Sequence, residues 1–553
     1  MSDAAPSGRS SEHQGVAAIL RQVDERQYIL RSGEGPWTVI SDDWHEEGGR
    51  NGGRFVAFSD PAHRSEVLGL AGWDLTKGDG APGFSQHYEN DEWVTTYERN
   101  SAGPYIEPLI IVQQFHGVVP SRYLINQEFS LLMRLWEEPV TGNFYAILYD
   151  GSKELAIKVE GKRISIRTPL LRRYQAARQL DLLLFTDSVQ YVDTDFDADE
   201  FEYMREEDHV ENGDSVIFFG IGDGVIARRA VFSRLLGKRV LPPPPQEDSG
   251  IWPWEREDDN YPEFIIGEDQ NGREVRCTCD HEKLANYFGA NPEAPHYLTP
   301  VFFRREVLQR YYDDPGLYRV EDGRLTCAAV WSVQIDNANP DVVRVFLGDI
   351  GRDIPNSHRD HWRAYNVAPL QGMSETTFRR SFLAQFADSP NPEHVFKNAY
   401  LSAQKAWLAT WGWPLYREAT GLDAQLIDRI RIPLNDTDAE FESQMLALAK
   451  LLVDLLNEKA VAAGLPKVNG EKGIDKFGRF LASVGYAEVD RDVALLRQIQ
   501  TIRSRISAHT SGAGGLSFLA SQLDGMSKPE FVKELMRRAT QMLGDLEVLE
   551  TPA

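Results

Sequence analysis

The sequence predicts a multidomain α+β protein, with a β-rich N-terminal domain, a mixed α/β middle domain and a C-terminal all-α helical bundle. Three observations carry this expectation. Short runs of β-branched and aromatic residues fill the chain up to about residue 240, and a proline run, Pro242–Pro245, then interrupts it. From residue 438 onward, apolar residues recur at helical spacing. A chain of 553 residues is too long for one core, and domains of about 100–200 residues suggest three.

Composition narrows the class. Hydrophobic residues make up 42% of the chain and aromatic residues 10%, ample for globular folding. Three cysteines (Cys277, Cys279 and Cys327) form no disulfide framework and suit a reducing, cytoplasmic compartment. Residues 1–15 are polar, with no apolar signal region, and read as a disordered tail. No apolar run approaches the ~18 residues of a membrane span, so no membrane partner is expected. A net charge of −25 argues against coating nucleic acid non-specifically. Between Lys472 and Arg538, however, 11 Lys/Arg face 7 Asp/Glu, a local balance of +4 that fits a confined nucleic-acid site.

The β-rich domain spans 16–240. Gln27–Leu30, Arg54–Phe58, Leu109–Val112 and Asn143–Tyr149 are β-type runs, and Arg163–Arg167 alternates as a half-buried strand. Thr168 followed by Pro169 reads as the N-cap and first turn of a helix to Arg178, with Arg172, Arg173 and Arg178 on its solvated face. The acidic stretch Asp187–Asp214 has Ala198 and Met204 where a calcium loop beginning at Asp193 needs Gly and Glu, so it reads as solvated. Residues 241–250 form a stiff linker.

The middle domain spans 251–385. Cys277, Cys279, His281 and His296 lack the Cys-x(2–4)-Cys spacing of a zinc site, and His358 with His361 lacks a third ligand, so no metal or cofactor is expected. Thr299–Pro300 reads as the start of an aromatic-rich helix reaching Tyr312. Strands are expected at Leu317–Val320, Ala328–Val333 and Val342–Leu347, then a charged loop over Gly348–Pro355. The block around Arg352, Asp353 and His361 is dense enough in charge and aromatics to recognise a ligand or trigger.

From Ser374 the pattern turns helical. Ser374–Phe386 has helical spacing, and 386–437 is a connector whose Trp407, Trp411 and Trp413 are expected to pack the bundle against the middle domain. The bundle, 438–553, should hold four helices: Asp438–Asn457, Gly473–Val484, one ending near Gly512, and Pro529–Leu549. In the third, Leu495, Leu496, Ile499, Ile502 and Ile506 make one apolar face. Asp490 or Asp492 suits its start, and Thr510–Gly512 its stop. On this helix sit Arg503, Arg505 and His509, two permanent cations and an imidazole that titrates near neutrality.

The run Ile502–His509 resembles the Arg-x(4–6)-His signature of the HEPN superfamily. These are small helical-bundle domains, many of them metal-independent ribonucleases of toxin–antitoxin, CRISPR-associated and abortive-infection systems. The resemblance covers 438–553, about a fifth of the chain, and Ser504 stands where the family often has Asn or another polar residue. It implies an RNA substrate and a homodimer in which both motifs line one cleft. It also implies a regulated endoribonuclease of an antiviral or toxin-type system, with the preceding domains sensing a phage or stress trigger. RNA supplies its own 2′-OH nucleophile. His509 would transfer protons, and Arg503 would hold the phosphate and stabilise its developing charge. On a straight helix Arg503 lies about 120° around from His509, whereas Arg505 is i, i+4 to it, so which arginine partners the histidine stays open. The alternative is a non-catalytic sensor or scaffold whose bundle serves dimerisation.

Overall fold

A computed structural model describes residues 7–46, 49–69, 82–98, 105–201, 205–209, 214–226, 228–255, 260–339, 341–369, 391–509 and 513–551. The chain is mixed α+β, β-rich in its N-terminal part and helical at its C-terminal end, and divides into two compact units. One comprises Met1–Leu148 and Ser152–Glu257, the other Tyr149–Gly151 and Asp258–Ala553.

The first unit is built on an antiparallel sheet. Its strands are β1 (Trp37–Glu46), β2 (Arg50–Ser59), β5 (Leu135–Glu137), β6 (Phe144–Ile147), β7 (Lys153–Glu160), β8 (Arg163–Arg167), β9 (Asp181–Asp193), β10 (Arg205–His209), β11 (Ser215–Ile226) and β12 (Arg228–Leu241). They lie in the order β10-β11-β12-β9-β2-β1-β8-β7-β6-β5, with the short strand Glu107–Pro108 paired to β2. A separate ribbon pairs β3 (Gly83–Glu89) with β4 (Glu92–Glu98). Helix α3 (Thr168–Arg178) buries Leu171 and Tyr174 against Ile40, Phe58, Ile157, Ile164 and Leu182. The structure makes Thr168 the first helical residue and not the cap: its hydroxyl bonds Thr38 at 2.8 Å. Arg173 donates to the Ser249 and Gly250 carbonyls, and Arg178 to Glu107 and Glu128, so this helix carries no free basic patch. The expected linker 241–250 is therefore held within this unit.

Two expectations fail here. The tail 1–15 is not disordered throughout, because α1 (Ser7–Leu20) buries Val16 and Leu20 against Phe196, Phe201 and Val231. Gln27–Leu30 is not a strand but part of α2 (Val23–Arg31), whose Ile29 packs on Ile217, Phe219 and Leu235. Helix and sheet meet so closely at Gly237 that a β-carbon there would lie 2.4 Å from Ile29 Cδ1. On β12, Lys238 is buried, with Nζ donating to the Val67 carbonyl at 3.0 Å, and burial pushes its pKa down to about 8.

In the second unit β13 (Pro300–Arg304) lies between β14 (Val342–Phe346) and Asn366–Val367, beside a meander of Tyr318–Glu321, Arg324–Cys327 and Trp331–Gln334. Phe264, Phe303, Leu308, Tyr311, Leu325, Val343, Ile350 and Trp362 fill their core. The aromatic run after Thr299 is thus a strand followed by a 3-10 turn (Arg305–Leu308) and a short helix (Gln309–Asp313), since Pro300 opens a strand as readily as a helix. The expected loop 348–355 is instead largely α4 (Leu347–Asp353), followed by α5 (Asn356–Ala364). Gly351 lets α4 approach the Cys279 carbonyl, where a β-carbon would sit at 1.8 Å.

The helical end contains α6 (Pro392–Trp411), α7 (Asp438–Ala449), a π turn (Lys450–Asp454), α8 (Gly473–Ser483), α9 (Val489–His509), α10 (Ala513–Leu523) and α11 (Lys528–Glu547). Ser374–Phe386 lies outside the described residues. Helix α6 is no mere connector: Phe396, Tyr400, Ala403 and Trp407 share one core with Phe441, Leu448, Phe477, Leu496, Ile499, Met536 and Leu543. Trp407, Trp411 and Trp413 surround Phe480 of α8, packing within the helical core and not against the strands. With α6 and α10 added, the bundle exceeds the four helices expected.

A buried polar cluster joins strands to helices in this unit. Glu393 on α6 is fully buried and accepts from the Tyr312 hydroxyl (2.7 Å) and the Ile432 amide (3.0 Å), with Lys397 at 3.5 Å and Arg305 at 3.9 Å. Burial pushes this carboxyl upward, but Lys397, His394, Arg305 and the tyrosine outweigh it and hold it at about 2. Beside it, Arg431 forks onto Glu440 at 2.8 and 3.0 Å.

Two stability predictions follow from these buried charges. An unfolded glutamate titrates near pH ~4.3, so the contribution of Glu393 is complete above that value and is lost as pH falls toward about 2. Glu393→Gln should lower stability at pH 7 by roughly 3 kcal/mol in chemical denaturation, with a smaller loss at pH 3. Lys238 behaves oppositely: its folded pKa lies below the unfolded ~10.4, so stability should rise between about pH 8 and 10. Lys238→Met should raise the denaturation midpoint at pH 7 and abolish that rise.

Candidate functional site

The apolar face of α9 buries Leu495, Leu496, Ile499 and Ile502, which fixes the rotation of the helix and hence where its cations point. Arg503, next to Ile502, is half-buried and aims at the end of the π turn. Its Nη2 donates to Asp454 Oδ2 at 2.8 Å. Asp454 is held from behind as well, its carbonyl accepting from Arg417 Nη2 at 2.6 Å. Arg505 is exposed and turns the other way, its guanidinium carbon 4.4 Å above the Phe518 ring of α10. The two arginines therefore serve different neighbours. His509 is the last residue of α9; its side chain, and Thr510–Gly512, lie outside the described residues.

The arrangement has a defined chemical capacity. Among the described residues Arg503 has this one carboxylate contact, which leaves most of its five N–H donors for another oxyanion. An incoming phosphate would share or displace Asp454. The stacked Arg505 keeps its charge while its plane is fixed on an aromatic ring, a geometry suited to a second phosphate or a base. The local positive balance is smaller than the sequence suggests. Arg497 pairs with Asp475, Arg491 with Asp492 and Asp545, Lys476 with Glu458, Arg479 with Glu471 and Lys528 with Asp438. Asp454 and Phe518 were invisible as site residues in the sequence, because nothing in their local pattern distinguishes them from ordinary helix positions.

The other candidate cluster separates into unlike parts. Arg352 and Asp353 line a cavity of about 690 Å³ with Tyr297, Asp336, Arg344 and Asp349. Its charges are largely spent on one another. Arg344 meets Asp336 at 2.7 Å, Arg352 meets Asp353 at 2.7 Å, and Tyr297 donates to Asp349 at 2.9 Å. His361 does not join them; its Nε2 bonds the Val307 carbonyl at 2.8 Å. His358 is buried against the Tyr311 hydroxyl at 3.0 Å, and burial pushes it down to about 4, so it is neutral and structural at pH 7. The Cys279 thiol is pushed up to about 12 by burial and stays protonated.

No protein-family model matches this chain, and no curated protein or solved structure matches it. No described helix is long and apolar enough to cross a membrane.

Asp454 is the group that competes with any anion for Arg503. Asp454→Asn should strengthen binding of a labelled single-stranded oligoribonucleotide roughly threefold to fivefold in an anisotropy titration, the gain expected from releasing a partly exposed ion pair. Unchanged affinity, or no binding, would count against an anion site at Arg503.

Proposed function

We propose that the C-terminal helices form a HEPN-like, metal-independent endoribonuclease centre, regulated by the rest of the chain in an antiviral abortive-infection or toxin-type role. The observation that supports it most is the placement of Arg503. It sits on the core helix that ends at His509, half-exposed, and among the described residues its charge is engaged by one carboxylate.

In this reading His509 takes the 2′-OH proton. The 2′-oxygen bonds to phosphorus, the P–O5′ bond breaks, the leaving oxygen takes a proton from water, and His509 returns its own to solvent. The products are a 2′,3′-cyclic phosphate and a 5′-hydroxyl. Arg503 neutralises the charge that accumulates on the non-bridging oxygens, and Arg505 supplies a second cation. Two copies of the bundle would line one cleft, so that groups separated around one helix need not act on the same phosphate from that helix alone.

The ion pair with Asp454 favours a second reading, in which Arg503 is a structural residue and the bundle is a dimerising scaffold. Expression of wild type, His509→Ala and Arg503→Ala in phage-challenged and unchallenged bacteria separates the two. The nuclease reading expects RNA fragments with 2′,3′-cyclic ends in wild type and a fall of about 10²-fold or more in either variant. Equal RNA cleavage by wild type and His509→Ala would sink it. Equal protection without any cleavage would favour the scaffold.

A further inference from the structure

The ribbon β3–β4 of the first unit joins no other strand among the described residues. Its register sets Phe84 opposite Tyr97, Gln86 opposite Thr95 and Tyr88 opposite Trp93, and strand alternation puts all six on one face. The rings of Phe84 and Tyr97 are 5.1 Å apart, those of Tyr88 and Trp93 5.4 Å, and between them Gln86 Nε2 donates to Thr95 Oγ1 at 2.8 Å. These rings are not core. Phe84 is 74% exposed, Trp93 67%, Tyr88 59% and Tyr97 57%. Asn90 and Asp91 both adopt positive φ, 51° and 65°, the two-residue turn geometry that closes the ribbon tightly.

Two physical considerations make this face unusual. A two-stranded ribbon is at best marginally stable alone in water, so its large rings would be expected to pack onto another element. Contiguous exposed apolar surface of this kind marks an interaction site. Its charge then selects the partner. From Gly83 to Glu98 there are four carboxylates and no Lys or Arg: Asp91 stands at the tip, and Glu89, Glu92 and Glu98 on the reverse of the same thin ribbon, so the ring face is itself neutral and lies in their field. Phosphates of nucleic acids and anionic lipid headgroups are repelled by such a field, whereas cations are drawn both to the carboxylates and to the faces of the rings. The two ring pairs are four residues apart along the strand, roughly 13 Å, which is the separation of side chains i and i+4 in an extended peptide.

We infer that this ribbon docks an extended, arginine- or lysine-bearing segment of a partner protein. Its cationic side chains at i and i+4 would lie over the Phe84–Tyr97 and Tyr88–Trp93 pairs, with the residue between them facing Gln86 and Thr95. The full-length protein is titrated, by fluorescence anisotropy, into labelled peptides with arginines four apart in a Gly/Ser background, with the same arginines adjacent, and with aspartates in their place. The i, i+4 peptide should bind most tightly and weaken with salt, and the aspartate peptide should not bind. Tyr88→Ala/Trp93→Ala should weaken it about tenfold. Glu89→Gln/Glu92→Gln, which leaves the rings intact, should flatten the salt dependence. Equal affinity of wild type and the ring variant, or no peptide binding, would overturn the proposal. So would a wild-type dimer that the ring variant abolishes in sedimentation, or ring-dependent binding of a neutral oligosaccharide.

Discussion

The fully buried carboxylate of Glu393 is the constraint on which the second unit depends. A lone carboxylate without solvent is too costly to keep charged, so the groups around it must hold their places together. Tyr312 comes from the short helix after β13, Arg305 from the 3-10 turn before it, Lys397 from the next turn of α6, and the Ile432 amide from the segment leading to α7. Moving any one leaves an uncompensated charge, which is the costly failure for a buried pair. Hydrophobic contact tolerates small slides between elements; a buried charge held by two hydrogen bonds and two nearby cations does not. The network therefore fixes α6 relative to the strands, and Arg431 with Glu440, alongside it, fixes the start of α7.

What α7 inherits from this anchor reaches Arg503. Past Ala449 the helix relaxes into the π turn Lys450–Asp454, wider than an α-turn and common at functional positions. Leu451, Leu452 and Val453 are buried, so the turn is pinned to the core while its two ends carry charge outward. Lys450 meets Asp423 at 2.7 Å, and Asp454 meets Arg503 at 2.8 Å. The backbone that presents the exposed Asp454 carboxylate to Arg503 is thus a locally irregular turn pinned to the core.

The parts of this architecture that the sequence revealed are those with a long period to count. Asp438, Gly473, Val489 and Lys528 open helices close to where the apolar spacing put them, and Arg163–Arg167 is a strand as its alternation implied. Where a run is four or five residues long, period 2 and period 3.6 cannot be told apart. That is why Gln27–Leu30 read as a strand although it forms part of α2, whereas the helix expected from Thr299 to Tyr312 rested on its Thr-Pro start, which the first residue of β13 fits equally. Residues 348–355 looked like a loop from their charges and glycines. Those charges pair locally, Asp349 with Arg352 at 3.2 Å, and Gly351 serves a close approach rather than flexibility. Arg503 and Arg505 were legible as cations on a core helix. Their divergence toward Asp454 and Phe518 was not, because it depends on which helices flank α9.

Charge bookkeeping along the sequence misled in one instructive way. The +4 balance from Lys472 to Arg538 suggested a basic patch, yet many of its cations are paired, several with acids outside that window such as Glu458, Glu471, Asp454 and Asp545. What distinguishes a binding cation here is not local abundance but incomplete satisfaction. Among the described residues Arg503 makes one contact, to Asp454, and Arg505 covers a ring face and meets no carboxylate. The same logic runs in reverse on the ribbon β3–β4, where rings and carboxylates stand exposed with no cation within the ribbon's own sequence. A chain with net charge −25 can hold an anion only where its own carboxylates are few or displaceable, and Asp454 is displaceable in proportion to its exposure. The strength of the Arg503–Asp454 pair relative to a phosphate on the same guanidinium therefore decides whether α9 carries chemistry or only structure.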